Sequence, residues 1–305
     1  MRQGLLGGSD TQLRLTEGAD ALRLDRVHSP IVGTPVSGRV AVTEGVGLRV
    51  LEWEGLLRPF LLVHGLASNA LLWSGVAEHL VAAGHRVVSV DLRGHGESDA
   101  PACGYSTAVA AADLATVSAE FGSERPVVVG QSWGGNVVLR HAEFSAEVHA
   151  VACVDGGWLH LGDRFASWEQ CWASLAPPPF AGVTAASMVS MLRRRHPDWS
   201  DGAIQATMAN LRVGPDGTVE PRLAREHHAR ILRSLWEDRP RDRYERIGVP
   251  VLLAPAGDPA GPTGPLVDEA ARLLPRATVR WYAGADHDVH AQYPAEVAAD
   301  LLALA

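Results

Sequence analysis

Three observations predict an α/β fold on a mostly parallel, eight-stranded sheet with helices on both faces. Short all-apolar runs such as PFLLV at 59–63, RVVSV at 86–90 and PVVV at 126–129 are strands buried on both faces, since a half-solvated strand would alternate apolar and polar residues. These runs alternate with segments of helical length that end at Gly84 and Gly122, the pattern of repeated strand–helix units. Finally, 47% of the 305 residues are hydrophobic, enough to fill the apolar layers on the two sides of such a sheet.

Taken in order, residues 1–37 have weak periodicity and several Gly and Pro breakers, and are read as an N-terminal extension. Arg39–Thr43 and Leu48–Glu54, separated by Gly45 and Gly47, are expected to form a hairpin. Pro59–Val63, Arg86–Val90, Pro126–Val129 and Val148–Val154 are expected strands, with helices at Leu71–Ala83, Thr107–Phe121 and Trp133–Phe144 between them. Two strand–helix pairs close the chain: Val249–Leu253 with Pro265–Leu274, and Ala277–Trp281 with Pro294–Leu302. The alternation stops between Asp155 and Ile247. That stretch shows no convincing strand and has helical segments near Asp163–Leu175, Thr184–Arg195, Asp201–Leu211 and Pro221–Trp236, with a forced break at Pro177–Pro179. It is too long for an ordinary connection. Residues 156–247 are therefore read as a helical cap inserted after strand 6 of a core formed by 38–155 and 248–305. The cap would lie over the carboxyl ends of the strands, where open sheets of this kind bind ligands.

Composition excludes several classes of function. A net charge of −8 argues against nucleic acid as a partner, because phosphate binding needs clustered positive charge. All 27 basic residues are arginine, which removes Schiff-base, pyridoxal-phosphate, Walker-loop and Ser-Lys chemistry. Cys103, Cys153 and Cys171 are odd in number and match no metal spacing, so neither a disulfide framework nor a cysteine zinc site is expected. No apolar run suits a signal peptide or a membrane helix. The expectation is a cytoplasmic protein with no membrane partner, whose oligomeric state the sequence leaves open.

The chemistry concentrates at Gly130-Gln131-Ser132-Trp133-Gly134-Gly135, which follows a strand and opens a helix. A serine on a tight strand-to-helix turn stands clear of the sheet, and the helix N-terminus favours the negative charge that develops during attack. From Gly38 to Ala305 the chain resembles the α/β-hydrolase superfamily. The resemblance rests on that turn, on His64-Gly65 after the third strand and on Asp91-Leu92-Arg93-Gly94-His95-Gly96-Glu97-Ser98 after the fourth. It implies that Ser132 is a nucleophile and that the backbone N–H groups of Leu66 and Trp133 form an oxyanion hole. It makes His64 a hydrogen-bonded structural histidine and gives Asp91, Arg93 and His95 structural rather than catalytic work.

A serine needs a histidine base oriented by a carboxylate. His287, in Ala283-Gly284-Ala285-Asp286-His287-Asp288-Val289-His290, matches the family's G-x-G-H motif, with Asp286 where a small residue is usual. His290 is an alternative base. A metal reading of this Asp/His cluster would need a further ligand from elsewhere, so no metal or organic cofactor is expected. The resemblance places the acid at Asp258, after the strand that follows the cap. Pro255 stands there where a glycine is usual, Pro259 follows, and Asp155 at the end of the sixth strand is the alternative acid. The implied activity is hydrolysis of a small-molecule carboxylic ester or lactone, or of a thioester or carbon–carbon bond. A serine at this turn disfavours the epoxide and haloalkane chemistries that use aspartate there. A ligand receptor, or a lyase or cyclase that keeps the scaffold, is the alternative.

The cap holds Trp158, Trp168, Trp172, Trp199 and Trp236 together with Met188, Met191 and Met208. Such side chains suit either an apolar or aromatic substrate, with Trp158, Trp168 and Trp172 as pocket candidates, or the cap's own core. From Pro221 to Arg246 there are eight Arg against five Asp plus Glu, which fits a carboxylate-bearing substrate or a solvated helix face. His227 and His228 are adjacent and point to different sides of a helix, a poor metal pair.

Overall fold

The computed structural model describes residues 33–121, 124–145 and 147–305. The expectation for residues 1–37 therefore falls almost wholly outside the described residues. Ten strands are present: β1 (Val36–Thr43), β2 (Val46–Trp53), β3 (Leu57–Val63), β4 (His85–Val90), β5 (Val127–Gln131), β6 (Ala150–Val154), β7 (Leu211–Val213), β8 (Val219–Pro221), β9 (Val251–Ala254) and β10 (Ala277–Val279). Eight of them form one sheet in the order β1-β2-β4-β3-β5-β6-β9-β10. The first two pairings, β1–β2 and β2–β4, are antiparallel and all the others are parallel. The expected eight-stranded, mostly parallel sheet is thus present.

The strands carry the apolar runs seen in the sequence, and β5 and β6 are buried at every position. Helix α1 (Ser74–Ala82) covers one face of the sheet together with the C-terminal helix. On the other face pack α2 (Thr107–Ala119), α3 (Trp133–Phe144) and the helix that follows β9. Cys153 is a buried core residue, whereas Cys103 is exposed.

Between β6 and β9 lies the insertion, with α4 (Leu161–Arg164), α5 (Trp168–Leu175), α6 (Ala185–Arg195), α7 (Asp201–Met208) and α8 (Arg225–Glu237). The strand-free expectation is corrected here, because β7 and β8 pair as a small antiparallel hairpin. Its turn is Gly214-Pro215-Asp216-Gly217, where the Asp216 carboxylate accepts from the Thr218 N–H and Gly217 has φ +79°. A Pro-Asp-Gly turn between β-branched residues was the available signal. The predicted Asp163–Leu175 helix is split into α4 and α5 at Phe165–Ser167, and Ser167 caps the second piece. The chain closes with α9 (Gly264–Leu273), β10, α10 (Val289–Gln292) and α11 (Pro294–Leu302). Among the described residues no helix is long and apolar enough to cross a membrane.

The loop after β4 is a rigid brace. The buried Asp91 carboxylate accepts from the Ala70 N–H at 2.7 Å and from the Glu97 N–H at 3.0 Å. Arg93 makes a two-point ion pair to Asp113 on α2, both contacts at 2.6 Å, with the side chains only 6% and 5% exposed. These contacts give Asp91 and Arg93 the structural role expected of them. Removing one member of a buried pair strands the other charge, which costs about 3–5 kcal/mol. Asp113→Ala is therefore expected to lower unfolding free energy by that amount in a urea titration, while the conservative Arg93→Lys loses less.

Candidate active site

The serine turn is built where β5 hands over to α3. Ser132 has φ +53° and ψ −122°, a conformation that a non-glycine residue holds only where its surroundings enforce it. Two close approaches do so. A Cβ on Gly130 would lie 2.1 Å from the Gly134 carbonyl oxygen, and one on Gly134 would lie 2.6 Å from the Val63 and His64 carbonyl oxygens. The G-x-S-x-G spacing thus lets α3 descend onto the end of the sheet. The Ser132 N–H donates to the Val154 carbonyl at 2.9 Å, which ties the turn to β6.

Trp133 opens α3, so its N–H is one of the unpaired amides of a helix start. Leu66 follows Gly65, which lies against the side chains of Gln131 and Ser132. Neither the Leu66 nor the Trp133 amide donates a hydrogen bond among the described residues. Two buried histidines hold this region. His64 Nε2 accepts from the Leu92 N–H at 3.0 Å, so its Nδ1–H donates to the Gly65 carbonyl at 2.7 Å. His95 Nε2 accepts from the Ala67 N–H at 3.2 Å, so its Nδ1–H donates to the Arg93 carbonyl at 3.0 Å. Burial pushes their pKa values down to about 4 and about 3, so both are neutral clamps.

His287 is carried by the loop between β10 and α10. The Gln131 side-chain amide donates to the His287 carbonyl at 3.1 Å, which draws this loop to the residue before Ser132. The His287 ring remains open to solvent, with 54% of the side chain exposed. Its Nδ1 meets Asp155 Oδ2 at 2.5 Å. Partial desolvation by neighbouring groups lowers the pKa of the ring, but the hydrogen bond and charge of Asp155, with the charge of Asp288, outweigh that and leave it raised.

The structure does not bring Asp258, the expected acid, to His287. Asp258 is exposed, and its Oδ1 accepts from the Ala260 N–H of its own loop at 2.8 Å. The loop that Pro255 and Pro259 bracket spends the carboxylate on a local turn. Asp155 meets His287 instead. It ends β6 in a left-handed conformation, φ +42°, with its N–H bound to the Ala254 carbonyl at 3.0 Å. Its Oδ1 accepts from the Ala256 N–H at 3.1 Å, which leaves Oδ2 for the histidine. The other alternative, His290, is fully buried against Trp73 with ring centroids 4.2 Å apart, and burial lowers its pKa to about 3. Neither ring nitrogen has a hydrogen-bond partner among the described residues.

Asp286, the departure from the motif, accepts from His196 of the insertion at 2.9 Å, so the residue beside His287 pins the insertion to the core. Asn69 adds a second tie, donating to the Ala206 carbonyl at 2.8 Å. A third joins α2 to α8, where the Thr107 N–H donates to Ser234 Oγ at 2.9 Å.

The tryptophans divide between packing and cavities. Trp168 and Trp172 stack at 6.1 Å and pack against the core, with Arg233 and Arg225 over their faces. Trp199 is buried in the cluster that seats α6 and α7 on the core. Trp158 lines a cavity of about 440 Å³ between α4 and the start of α9. A second cavity, of about 410 Å³, opens under the insertion beside Ala67 and His95. Neither Trp168 nor Trp172 lines either of these two cavities. Sequence reading missed Ser68, Asn210 and Arg222, which line the second cavity. Their types are unremarkable and only the fold assembles them.

Known proteins agree with this architecture. The chain is 27% identical over 291 residues to a non-heme chloroperoxidase of Streptomyces lividans, a match covering 87% of this chain and 98% of that protein. The solved E-2-(acetamidomethylene)succinate hydrolase superposes with a TM-score of 0.72 at 22% identity, covering 88% of this chain and 98% of its own. The thioesterase domain from the curacin biosynthetic pathway does so with a TM-score of 0.71 at 20% identity, covering 88% and 99%. The model of the alpha/beta hydrolase fold family matches residues 58–292. A match over that much of the chain, on a sheet of this order with a strained serine turn at its carboxyl edge, means that this protein belongs to the alpha/beta hydrolase fold family.

Proposed function

We propose that this protein is a serine hydrolase cleaving a carboxylic ester or lactone of a small molecule through an acyl-enzyme, with Ser132, His287 and Asp155 as its triad. The observation that carries the reading is the 2.5 Å contact between His287 Nδ1 and Asp155 Oδ2 beside the strained Ser132 turn. That contact fixes the ring tautomer with the proton on Nδ1, so Nε2 is free to accept. Ser132 Oγ attacks the carbonyl carbon as its proton passes to His287 Nε2, and the Leu66 and Trp133 amides hold the oxyanion. The tetrahedral adduct collapses, the carbon–oxygen bond to the leaving group breaks, and His287 returns the proton to that alkoxide. Water then attacks the acyl-enzyme, giving its proton to His287, and Ser132 leaves with that proton.

Structural neighbours that include a hydrolase and a thioesterase support acyl transfer on this fold. Thioester and carbon–carbon bond cleavage use the same groups. A receptor or a lyase that keeps the scaffold is the rival, and a pure receptor has no need of an ordered Asp–His pair. Treatment with a fluorophosphonate probe separates the two. Labelling of the wild type that disappears in Ser132→Ala is the expected result, and a folded wild type that takes no label would overturn the reading.

A further inference from the structure

Seven of the eight arginines between Pro221 and Arg246 are accounted for among the described residues. Arg233, Arg239, Arg241, Arg243 and Arg246 have carboxylate partners. Arg225 lies over the Trp172 ring, and Arg230 donates to the Ala102 carbonyl. Arg222 differs from all of these. It is half-buried, its Nε donates to the Ala209 carbonyl at 2.9 Å, and its backbone N–H donates to the Asn210 carbonyl at 2.9 Å. The side chain is thus anchored by one edge, and no carboxylate lies within ion-pair distance among the described residues.

Arg222 lines the 410 Å³ cavity, whose remaining wall on the insertion side is dominated by Leu, Pro and Phe side chains. A half-buried cation in such a wall is poorly solvated, so an incoming anion gains more there than at the open surface. Its surroundings do not oppose an anion. His228, which also lines the cavity, is held neutral because burial lowers its pKa, and His95 is neutral for the same reason. Ser68, on the core side, has a buried hydroxyl with no partner among the described residues.

The cavity also sits where a substrate would reach. Its core wall begins at Ala67, the residue after the Leu66 amide, and His95, which binds the Ala67 N–H, packs on Trp133 at 5.8 Å.

We propose that the cavity is the acyl-chain subsite and that Arg222 binds a carboxylate at the far end of that chain. The preferred substrates are then half-esters of dicarboxylic acids, in which a short apolar spacer separates the scissile carbonyl from the anion. This specificity rests on the serine-hydrolase reading for its kinetic test, but anion binding is measurable without turnover.

The kinetic arm compares mono-p-nitrophenyl adipate with its methyl-capped neutral diester. Wild type is expected to favour the free acid at least about tenfold in kcat/KM. Arg222→Met is expected to collapse that ratio toward one by raising KM for the acid about 10- to 100-fold, the worth of a charged hydrogen bond, and Arg222→Lys is expected to restore part of it. The binding arm titrates 5-phenylpentanoate and its primary amide into wild type and Arg222→Met by calorimetry. The acid should bind wild type at least about tenfold more tightly than either the variant binds the acid or wild type binds the amide. Loss of both esters in equal measure in Arg222→Met, or equal binding of the acid to both proteins, would overturn the assignment. Absent turnover with the binding difference intact would discard the hydrolase reading and keep the anion site.

Discussion

Ser132→Ala is expected to lower kcat for p-nitrophenyl esters by at least about 10⁴-fold. In the proposed mechanism Oγ is the atom that forms the acyl bond. The fold should not suffer, because alanine meets the same φ of +53° that serine already holds and no hydrogen bond of Oγ supports the turn. An unchanged urea midpoint beside the lost turnover separates chemistry from folding. A residual rate within tenfold of wild type would place the nucleophile elsewhere.

Asp155→Asn comes second, with an expected fall in kcat of about 10³- to 10⁴-fold. Asparagine retains an oxygen for the Ala256 N–H, so the loop after β6 is preserved. Its amide nitrogen, however, faces His287 Nδ1 where a carboxylate now accepts at 2.5 Å. The ring then turns to the tautomer with the proton on Nε2, which cannot accept from Ser132. Asp258→Asn, by contrast, should stay within about twofold, since Asp258 binds only its own loop. The pH profile adds a sign. His287 must be neutral to accept a proton, and its pKa is raised above the ordinary 6.5. Activity is therefore lost as pH falls through that raised value, with the acid limb of kcat/KM above pH 6.5. Removing the Asp155 charge withdraws the main upward influence, so the residual limb should move to lower pH. An unmoved limb would mean that another group titrates.

The two variants at 155 and 258 mark where the sequence was legible. Strand runs such as Pro126–Val129 and the helix Trp133–Phe144 were readable, because burial on both faces and helix length leave strong local patterns. The serine turn was readable because its residues are contiguous, Gly130 to Gly135, at the junction of a strand and a helix. The acid was not. Asp258 and Asp155 follow strands that lie side by side in the sheet, so strand position alone does not choose between them. The choice between them depends on where Pro255 and Pro259 steer one loop and on the left-handed turn at the end of β6, neither of which has a periodic signal.

The insertion shows the same division. Its β7–β8 hairpin was masked by strands of only three residues, too short to alternate visibly. Its tryptophans had the right composition for either a pocket or a core, and Trp168 and Trp172 pack, partly buried, against the core cluster. Fold class, the serine turn and the Asp286-His287 loop were thus written in local sequence, where patterning and tight-turn chemistry act over a few residues. The carboxylate partner, the ties from His196 and Asn69 that seat the insertion, and the lone arginine in the cavity came only with three-dimensional folding, because each joins residues tens to more than a hundred positions apart, and no local pattern encodes a contact at that range.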